Sequence, residues 1–490
     1  MNSDTDTRAE ALFYQANDLM AQGRLDAAEG AFRQALQLEP DLAEVHANLA
    51  WLLAQQGRYA EAEVAYRQAL QLAPDNFHIG LNFAVMLAEQ KRFAEAERCY
   101  RQILAQDADN VPTLSNFGVL LASLRRDDEA EACYRQALAL APDYRKAAYN
   151  LAYLLLLHGR YEEGWRMLEA RDGLQMLQNL LHNHLPDPPF VQRWQGQDLV
   201  GKSILILFES GHGDMIQFAR YASLLKRRGA ARVACLCHPA LKRLFSLLDG
   251  LDGLDGLDGL GGLGGAWAFD EDIRINDFDY WVAPLSLPGL FGTRVDTIPA
   301  DLPYLYTPAQ ARQGYADIIN MAGGAVRVGL VWQGNAQFYN DAERSIHDLQ
   351  VLQPLATIPG VHFFSLQKGP GELHAGDAPS AARAAMPLTV TDLAPRIHDF
   401  ADTAAIIMQL DLVLTVDTAV AHLAGALGKP CWVMLPAYQP DWRWLTQRED
   451  SPWYPGVMRL FRQSNAGDWA GVIQQVCAQL AVLVAGSGRA

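Results

Sequence analysis

The chain lacks an excess of positive charge. Its 40 Lys and Arg residues are outnumbered by 56 Asp and Glu residues, which gives a formal net charge of −16. Proteins that bind nucleic acid or anionic membranes neutralise phosphates with clustered Lys and Arg. The composition therefore excludes a polyanion as the expected partner.

Cysteine is also scarce, and its spacing fits neither a metal site nor a disulfide framework. The chain has six cysteines. Cys99 and Cys133 occupy the same position in a repeated unit, whereas Cys235 and Cys237 alternate along a predicted strand and so point to opposite faces. We interpret these residues as structural thiols.

Long apolar runs are missing as well. No segment reaches the roughly 18 apolar residues that a membrane span requires. The first residues, Met1–Asp4, have neither a basic region nor an apolar stretch typical of a signal peptide. We therefore expect no transmembrane segment and a cytoplasmic location.

What the sequence does contain is a 34-residue period. Gly23 and Gly57 are separated by this step, as are Pro40 and Pro74. The same step separates the aromatic residues Phe32, Tyr66, Tyr100 and Tyr134. This is the period of tetratricopeptide repeats, pairs of amphipathic helices that bury their apolar faces only by stacking. We predict an α-solenoid over residues 9–171, with four repeats and a capping repeat.

Beyond the repeats the pattern changes to alternating strands and helices. Residues 172–200 read as a proline-containing ordered linker, and residues 201–322 and 323–490 as two Rossmann-like α/β domains. The Asp-Gly-Leu triplets between residues 249 and 265 suggest a tolerant loop, since they lack the spacing of calcium-binding repeats. Two such domains predict a cleft between them, with ligands at the carboxyl ends of strands.

The strongest local signal is the segment from Asp411 to His422. A buried strand is predicted to end at Val416, so that Asp417 and Thr418 form the turn before a helix. The N-terminus of that helix would suit a phosphate. An ordinary N-cap with a packed histidine explains the same residues equally well.

The motif Val-Asp-Thr-Ala-x-Ala-His-Leu-Ala-Gly-Ala-Leu-Gly-Lys-Pro, from Val416 to Pro430, resembles the nucleotide-sugar motif of heptosyltransferase-like glycosyltransferases (family 9-like) with a GT-B fold. The turn Gly211-His-Gly-Asp-Met-Ile-Gln-Phe218 resembles the first glycine loop of that family. With the repeats in front, the chain resembles bacterial tetratricopeptide-linked glycosyltransferases, some of which modify flagellin or other proteins. The resemblance makes the 201–322 domain the acceptor side and the 323–490 domain the nucleotide-sugar side.

The resemblance also implies the residues of a donor site. Asp417, Thr418, Ala419 and His422 would contact the diphosphate or nearby sugar of the nucleotide-sugar co-substrate. The loop after the strand Val326–Trp332 would provide further contacts, as would Lys368, which follows the next strand. A fixed cation is needed there because the leaving phosphate carries negative charge. The candidates in that loop are Asn335, Arg344 and Ser345, and a solvated surface lysine remains the alternative for Lys368.

Asp214 is the candidate general base of an inverting transfer. It follows the glycine loop on the cleft edge, and such a transfer needs a group that takes the proton of the acceptor hydroxyl. An N-cap before Met215 explains the residue equally well. His212 stands where the family more often has an apolar residue, which leaves open whether the imidazole assists or replaces Asp214.

No metal or cofactor is expected. The Asp-x-Asp pairs at Asp270 and Asp277 precede a predicted strand, whereas a metal–diphosphate site would follow one. The aromatic run at Pro440–Trp444, together with Trp453, could stack on a base or sugar, although packing is the more common role of such residues.

A column of asparagines points to an acceptor. Asn48, Asn82, Asn116 and Asn150 recur with the same 34-residue step in the first helix of each unit. An amide side chain both donates and accepts hydrogen bonds, so a ladder of them can hold the backbone of an extended peptide. The alternative is that each Asn merely bridges helices.

These observations favour a metal-independent, inverting glycosyltransferase that modifies a protein held by the repeats. Two alternatives stay open. The α/β part could be a degenerate transferase within a scaffold, or the acceptor could be a lipopolysaccharide or lipid-linked sugar.

Overall fold

A computed structural model describes residues 2–174, 177, 191–248, 250–252, 265–271, 275–369, 371–375, 378–486 and 488. The predicted linker prolines and the glycine-rich tract between residues 253 and 264 lie outside this range. The chain divides into two compact units, Met1–Leu151 and Ala152–Ala490. The domain bounds expected from the sequence stay a prediction.

The first unit consists of helices that pack in consecutive pairs. Their bounds are α1 (Asn2–Ala21), α2 (Leu25–Leu38), α3 (Ala43–Gln55), α4 (Tyr59–Leu72), α5 (Phe77–Glu89), α6 (Phe93–Gln106), α7 (Val111–Ser123), α8 (Asp127–Leu140) and α9 (Arg145–Leu157), the last of which crosses the boundary between the units. This arrangement confirms the predicted helical solenoid.

The aromatic residues of the 34-residue step form the core of the repeats. Phe32, Tyr66, Tyr100 and Tyr134 are each at most 2% exposed. Small residues let the helices approach each other closely. A Cβ on Gly118 would lie 2.4 Å from Cε1 of Tyr134, which is too close for any larger residue.

The turn after the first helix of each repeat has one left-handed residue. Gly23, Gly57 and Gly159 have φ of 73°, 75° and 73°, and Lys91 and Arg125 occupy the equivalent positions with φ of 59° and 60°. The helix-ending conformation is thus kept even where the sequence has no glycine. Side chains other than Gly are strained there because Cβ crowds the backbone.

The second unit contains α10 (Tyr161–Leu168) and the α/β region. The further helices are α11 (His212–Phe218), α12 (Tyr221–Arg227), α13 (Pro239–Phe245), α14 (Leu287–Leu290), α15 (Ala309–Gln313), α16 (Ala316–Ile319), α17 (Asp341–Arg344), α18 (Ala381–Ala385), α19 (Phe400–Ile407), α20 (Ala419–Ala426) and α21 (Trp469–Gly486).

Within the described part of the second unit, two larger sheets are entirely parallel. The strands are β1 (Gln192–Arg193), β2 (Ser203–Ile206), β3 (Arg232–Cys237), β4 (Ala266–Ala268), β5 (Tyr280–Val282), β6 (Val326–Val331), β7 (Val361–Ser365), β8 (His374–Ala375), β9 (Ala378–Pro379), β10 (Val390–Asp392), β11 (Leu412–Val416), β12 (Cys431–Leu435) and β13 (Met458–Arg462). The first sheet has the order β1-β5-β2-β3-β4 and the second β10-β7-β6-β11-β12-β13, while β8 and β9 pair separately and antiparallel. The α/β prediction is confirmed.

The edge strand β1 comes from the predicted linker. Gln192 and Arg193 pair with Tyr280 and Trp281 of β5. The adjoining Trp194 is fully buried, and its backbone N–H donates to the carbonyl of Trp281 at 2.8 Å. The last part of the predicted linker, from residue 192, is therefore part of the first sheet.

The C-terminal helix α21 lines the core of the second sheet. Trp469, Val472, Ile473, Val476 and Leu480 belong to one buried cluster with β6, β7 and β11. By length and composition α21 also passes the test for a membrane-spanning helix, and it is the described helix that does so. The sequence prediction missed this helix, of which 33% is buried.

Candidate active site

The glycine loop predicted to carry the base lies at the carboxyl end of β2. Helix α11 starts at His212, with Gly211 as its N-cap residue. Asp214 is in the first turn of this helix and accepts a hydrogen bond from the Gly211 N–H at 2.8 Å. Its carboxylate thus closes the turn, while 21% of the side chain stays exposed.

The predicted donor motif forms the turn between β11 and α20. Thr418 is the N-cap, because its hydroxyl accepts from the Val420 N–H at 3.3 Å. Ala419 begins the helix, and Asp417 lies half-buried before the cap. The N-cap interpretation of Thr418 is therefore correct, and it leaves the start of the helix at the end of a central strand.

His422 lies inside the protein. It is 5% exposed, its ring stacks on Trp444 with a centroid distance of 5.3 Å, and its Nδ1 lies 2.9 Å from the Tyr454 hydroxyl. Burial, and then the charges of Arg443 and Arg220, lowers the pKa of His422 well below 6.5. The ring is consequently neutral near pH 7.

The two predicted motifs meet. A Cβ added to Gly213 would lie 2.9 Å from Cδ2 of His422 and 3.4 Å from Cα of Ala419. Only glycine permits this approach. The structure therefore brings Asp214 of the first sheet and the Thr418–His422 turn of the second sheet to one place.

Arg443 connects these elements, and the sequence did not identify it as a functional residue. It belongs to the short 3₁₀ turn Trp442–Trp444 after β12. Its guanidinium donates to the carboxylates of Asp214 and Asp441 and to the side-chain carbonyl of Gln217. The tract that contains it was considered only for aromatic stacking, because no local pattern reports a contact between residues 229 positions apart.

Both candidate carboxylates resist ionisation. Burial raises the pKa of Asp214, while Arg443 acts against this rise. Burial and then the charge of Asp441 raise the pKa of Asp417 to about 6. Trp444, Arg344 and Arg443 act in the opposite direction on Asp417, so these side chains lie near it.

The loop after β6 carries Arg344, which was predicted to bind the donor. Arg344 is 15% exposed, lies 4.2 Å above the Phe338 ring and bonds Asp341 at 3.4 Å. Ser345 is buried and holds the loop, since its hydroxyl donates to Asp341 at 2.7 Å and accepts from the Gly334 N–H at 2.9 Å. Asn335 is exposed and closes a local turn with the Gln337 N–H.

The ammonium group of Lys368 has two partners in the same domain. Its ammonium group donates to the Ala394 carbonyl at 3.1 Å and lies 3.2 Å from the Glu372 carboxylate. The side chain is 47% exposed. The adjacent Gln367 was not predicted. Its buried amide bonds the N–H groups of Trp332 and Gln333 at 3.1 and 3.0 Å, which fixes the ends of β6 and β7.

His212 lies in an aromatic environment. Its ring centroid is 4.4 Å from that of His238 and 5.2 Å from that of Phe400. Burial and the charge of His238 lower the pKa of His212 to about 4. Within the described residues, its buried Nε2 has no hydrogen-bond partner. The imidazole is neutral at pH 7 and is not bonded to Asp214.

The tryptophans near the C-terminus pack rather than line a site. Trp442 and Trp453 are at most 1% exposed, and their rings contact Tyr161 and Trp165 of α10. The Trp453 indole N–H donates to the Tyr161 hydroxyl at 3.0 Å. Trp444 is the one of the three whose ring stacks on a predicted site residue, His422.

In the described range, no group of three or more His, Cys, Asp or Glu side chains could hold a metal ion. Asp272 lies outside that range. Asp279 accepts from the N–H and hydroxyl of Ser203, both at 2.8 Å, and pairs with Lys202 at 3.1 Å. This carboxylate joins β2 to β5.

The asparagine column lies in the first unit and at its end, with differing contacts. Asn48 donates to the side chain of Asn17 at 2.8 Å, and Asn116 donates to the carbonyl of Pro112 in its own helix at 3.0 Å. Asn82 is exposed and Asn150 half-buried. Bridging and self-bonding thus account for two of the four side chains.

Comparison with known families agrees with the motifs. Residues 14–77, 53–117 and 116–164 match tetratricopeptide repeat families, and residues 372–434 match Glycosyltransferase family 9 (heptosyltransferase). The latter match includes β11 and the Asp417–His422 turn.

Individual relatives are more distant. Protein FlbA of Caulobacter vibrioides is 29% identical over 352 residues, covering 67% of this chain and 54% of that protein. The chain thus spans about half the length of this relative. Two solved structures are similar to 34% of this chain. A tetratricopeptide repeat protein from Parabacteroides merdae is 25% identical, with 69% of that chain covered and a TM-score of 0.31. The pilF protein of Pseudomonas aeruginosa is 22% identical, with 77% of that chain covered and a TM-score of 0.32. Since both TM-scores are below 0.5, these similarities support no inference.

Proposed function

We propose that this chain, which combines tetratricopeptide repeats with a glycosyltransferase family 9 domain, transfers a sugar from a nucleotide-sugar donor to a protein. The proposed fold of the two parallel sheets is GT-B, and the proposed mechanism is inverting and metal-independent. The observation that carries the proposal is the contact of Gly213 with Ala419 and His422, which places a carboxylate beside the start of a helix.

The proposed reaction assigns one role to each side of this contact. An acceptor hydroxyl oxygen attacks the anomeric carbon as the bond from that carbon to the diphosphate breaks. Asp214 takes the hydroxyl proton, and its partly exposed carboxylate is reachable for this purpose. The electron pair of the broken bond leaves with the nucleoside diphosphate.

The leaving diphosphate is stabilised by the second sheet. The start of α20 offers backbone N–H groups and the positive end of a helix dipole, and Arg344 adds a charge near Asp417. Lys368 is the weaker candidate because Glu372 already neutralises it. A flagellin or other cell-surface protein is the proposed acceptor, and a cytoplasmic location is part of the same proposal.

The donor is tested by thermal-shift titration with UDP, GDP, ADP, CMP and TDP. A ligand at 100 times its Kd stabilises the fold by about 2.7 kcal/mol, so one nucleotide should raise the melting temperature measurably. A silent panel would favour the non-catalytic scaffold.

The base is tested by Asp214→Asn. The amide cannot accept the hydroxyl proton, so we expect loss of sugar transfer with nearly unchanged affinity for the active nucleotide. Transfer is followed by mass change of the acceptor, and affinity by calorimetry. Retained turnover would remove Asp214 from the mechanism.

A further inference from the structure

Arg443 belongs to one sheet and contacts the proposed base of the other. It follows β12 of the second sheet, yet its Nη2 donates to Asp214 and its Nε to Gln217, both on α11 beside the first sheet. These two residues are three positions apart and so lie on one face of the helix. A single side chain thus fixes both the charge and the helix that carries it.

The guanidinium is itself held firmly. Its Nη1 donates to both carboxylate oxygens of Asp441, at 3.0 and 2.9 Å, and its centre lies 4.3 Å from the Trp442 ring. Only 6% of the side chain is exposed. Because protein groups already use its donors, Arg443 is poorly placed to bind the diphosphate directly and acts instead on its partners.

We propose that Arg443 is a positioning residue that keeps the carboxylate of Asp214 ionised and aimed, with Asp441 as the opposing charge that limits this effect. The inference rests on the proposed role of Asp214 as base. It adds that the base on the first sheet becomes competent only through contact with the second sheet.

Several groups bear on the charge of Asp214 from the elements packed around it. The turn after β12 contributes Arg443 and Asp441, and α20 contributes His422, which is neutral. Helix α11, which carries Asp214, contributes His212, also neutral at pH 7. Residues 284–286, which pack against α11 as well, contribute Ser286, whose hydroxyl is bonded to Arg171. Arg443 is accordingly the positive charge among them that touches Asp214.

Substitutions at Arg443 and at Asp441 should shift the pKa of Asp214 in opposite directions. An opposite charge in contact lowers a carboxyl pKa by about 1–3 units. Arg443→Gln should therefore raise the midpoint of the acid limb of kcat/KM by about 1–3 pH units, with Arg443→Lys in between. Asp441→Asn should lower this midpoint, and Asn still caps the turn.

The matched control is Arg448→Gln. Arg448 is in the same segment and pairs with Asp450 at 2.7 Å, but the two side chains are 41% and 53% exposed. A surface pair of this kind has little effect on distant groups. Its acid limb should coincide with that of the wild type.

Because Asp417 also titrates near pH 6 and senses Asp441, a second measurement isolates Asp214. The difference in unfolding free energy between the wild type and Asp214→Asn is recorded against pH, in the Arg443, Arg443→Lys and Arg443→Gln backgrounds. A raised folded pKa means that the stabilising contribution of Asp214 is full at low pH and is lost as pH rises through that pKa. Arg443→Lys and Arg443→Gln should move this loss to higher pH.

Opposite shifts of the acid limb, together with the displaced stability difference, would establish the inference. The inference would be overturned if the acid limb of kcat/KM did not shift, or if the pH dependence of the stability difference were the same in all residue-443 backgrounds. Asp214 would still be the base in either case. Transfer by Asp214→Asn would instead refute the base itself. If Arg443→Gln does not fold, Arg443→Lys and Asp441→Asn still give the two opposite signs.

Discussion

At the scale of single residues, the surroundings of Asp417 disfavour its ionised carboxylate. The carboxyl is half-buried and faces Asp441, and its pKa is about 6. A residue retained in such a position destabilises the fold near neutral pH, which is common where a ligand is bound. The same turn begins α20 and meets the glycine loop.

We predict that Asp417→Asn stabilises the protein at pH 8 and not at pH 3.5. The folded pKa is raised, so the carboxyl contributes favourably below its unfolded pKa, and this contribution is lost as pH rises to about 6. The gain at pH 8 should be on the order of 2–3 kcal/mol. Urea unfolding at both pH values measures it.

Nucleotide affinity should fall in the same variant if Asp417 contacts the donor. Asp296→Asn is the control, because Asp296 is 74% exposed and pairs with the exposed Arg294. Equal stability of the wild type and Asp417→Asn at pH 8 would contradict the electrostatic account.

At the scale of elements, the sequence predicted the helices and strands that have a regular pattern of residues. The 34-residue step identified the repeat helices, and apolar runs identified β6 and the end of β11 to within a residue. Strand β1 was not predicted because Gln192 and Arg193 form no apolar run. These residues form a strand because they pair with β5. A two-residue strand has no periodicity of its own to detect.

The candidate site follows the same division. Asp214, Thr418 and His422 became candidates because they belong to local motifs. Arg443 was missed because its contact with Asp214 spans 229 positions of the chain, and no local pattern reports such a distance. The role that we propose for Arg443 depends on contacts that form only when both sheets are folded.

The left-handed turn of the fourth repeat offers a test of the repeat geometry. Arg125 has φ of 60°. We predict that Arg125→Gly is more stable than Arg125→Ala by about 1 kcal/mol, because Ala keeps the Cβ strain and Gly removes it. Both variants lose the exposed ion pair with Asp127, so their difference in chemical unfolding isolates the backbone effect.

The asparagine column is tested at Asn82 and Asn116. If the amides hold an acceptor backbone, Asn82→Ala with Asn116→Ala should raise KM for the protein acceptor several-fold and leave donor affinity unchanged. Asn110→Ala is the matched control, since that side chain caps α7 by accepting from the Thr113 N–H. An unchanged KM would show that these asparagines do not bind the acceptor and have a structural role.

At the scale of the whole molecule, the repeats and the sheets can be separated experimentally. A fragment of residues 145–490 keeps α9 and α10, whose Tyr161 and Trp165 pack on Trp442 and Trp453. We predict that it hydrolyses donor at the rate of the full chain but does not modify protein. Nucleotide release and acceptor mass report the two activities.

The outcome that would contradict acceptor docking is equal protein modification by this fragment. A fragment of residues 172–490 is a useful comparison, because it loses both aromatic residues of α10. Removing two such buried rings should destabilise it by several kcal/mol, so its inactivity alone would say nothing about docking.

The short strand β1 has a practical consequence for anyone who divides the chain. Cutting at residue 200 would remove β1 and Trp194 and leave the backbone of β5 uncovered along one side. An uncovered strand offers its N–H and C=O groups to any neighbouring molecule. Such a piece should self-associate on expression, whereas the fragment of residues 145–490, which keeps β1 and α10, should not.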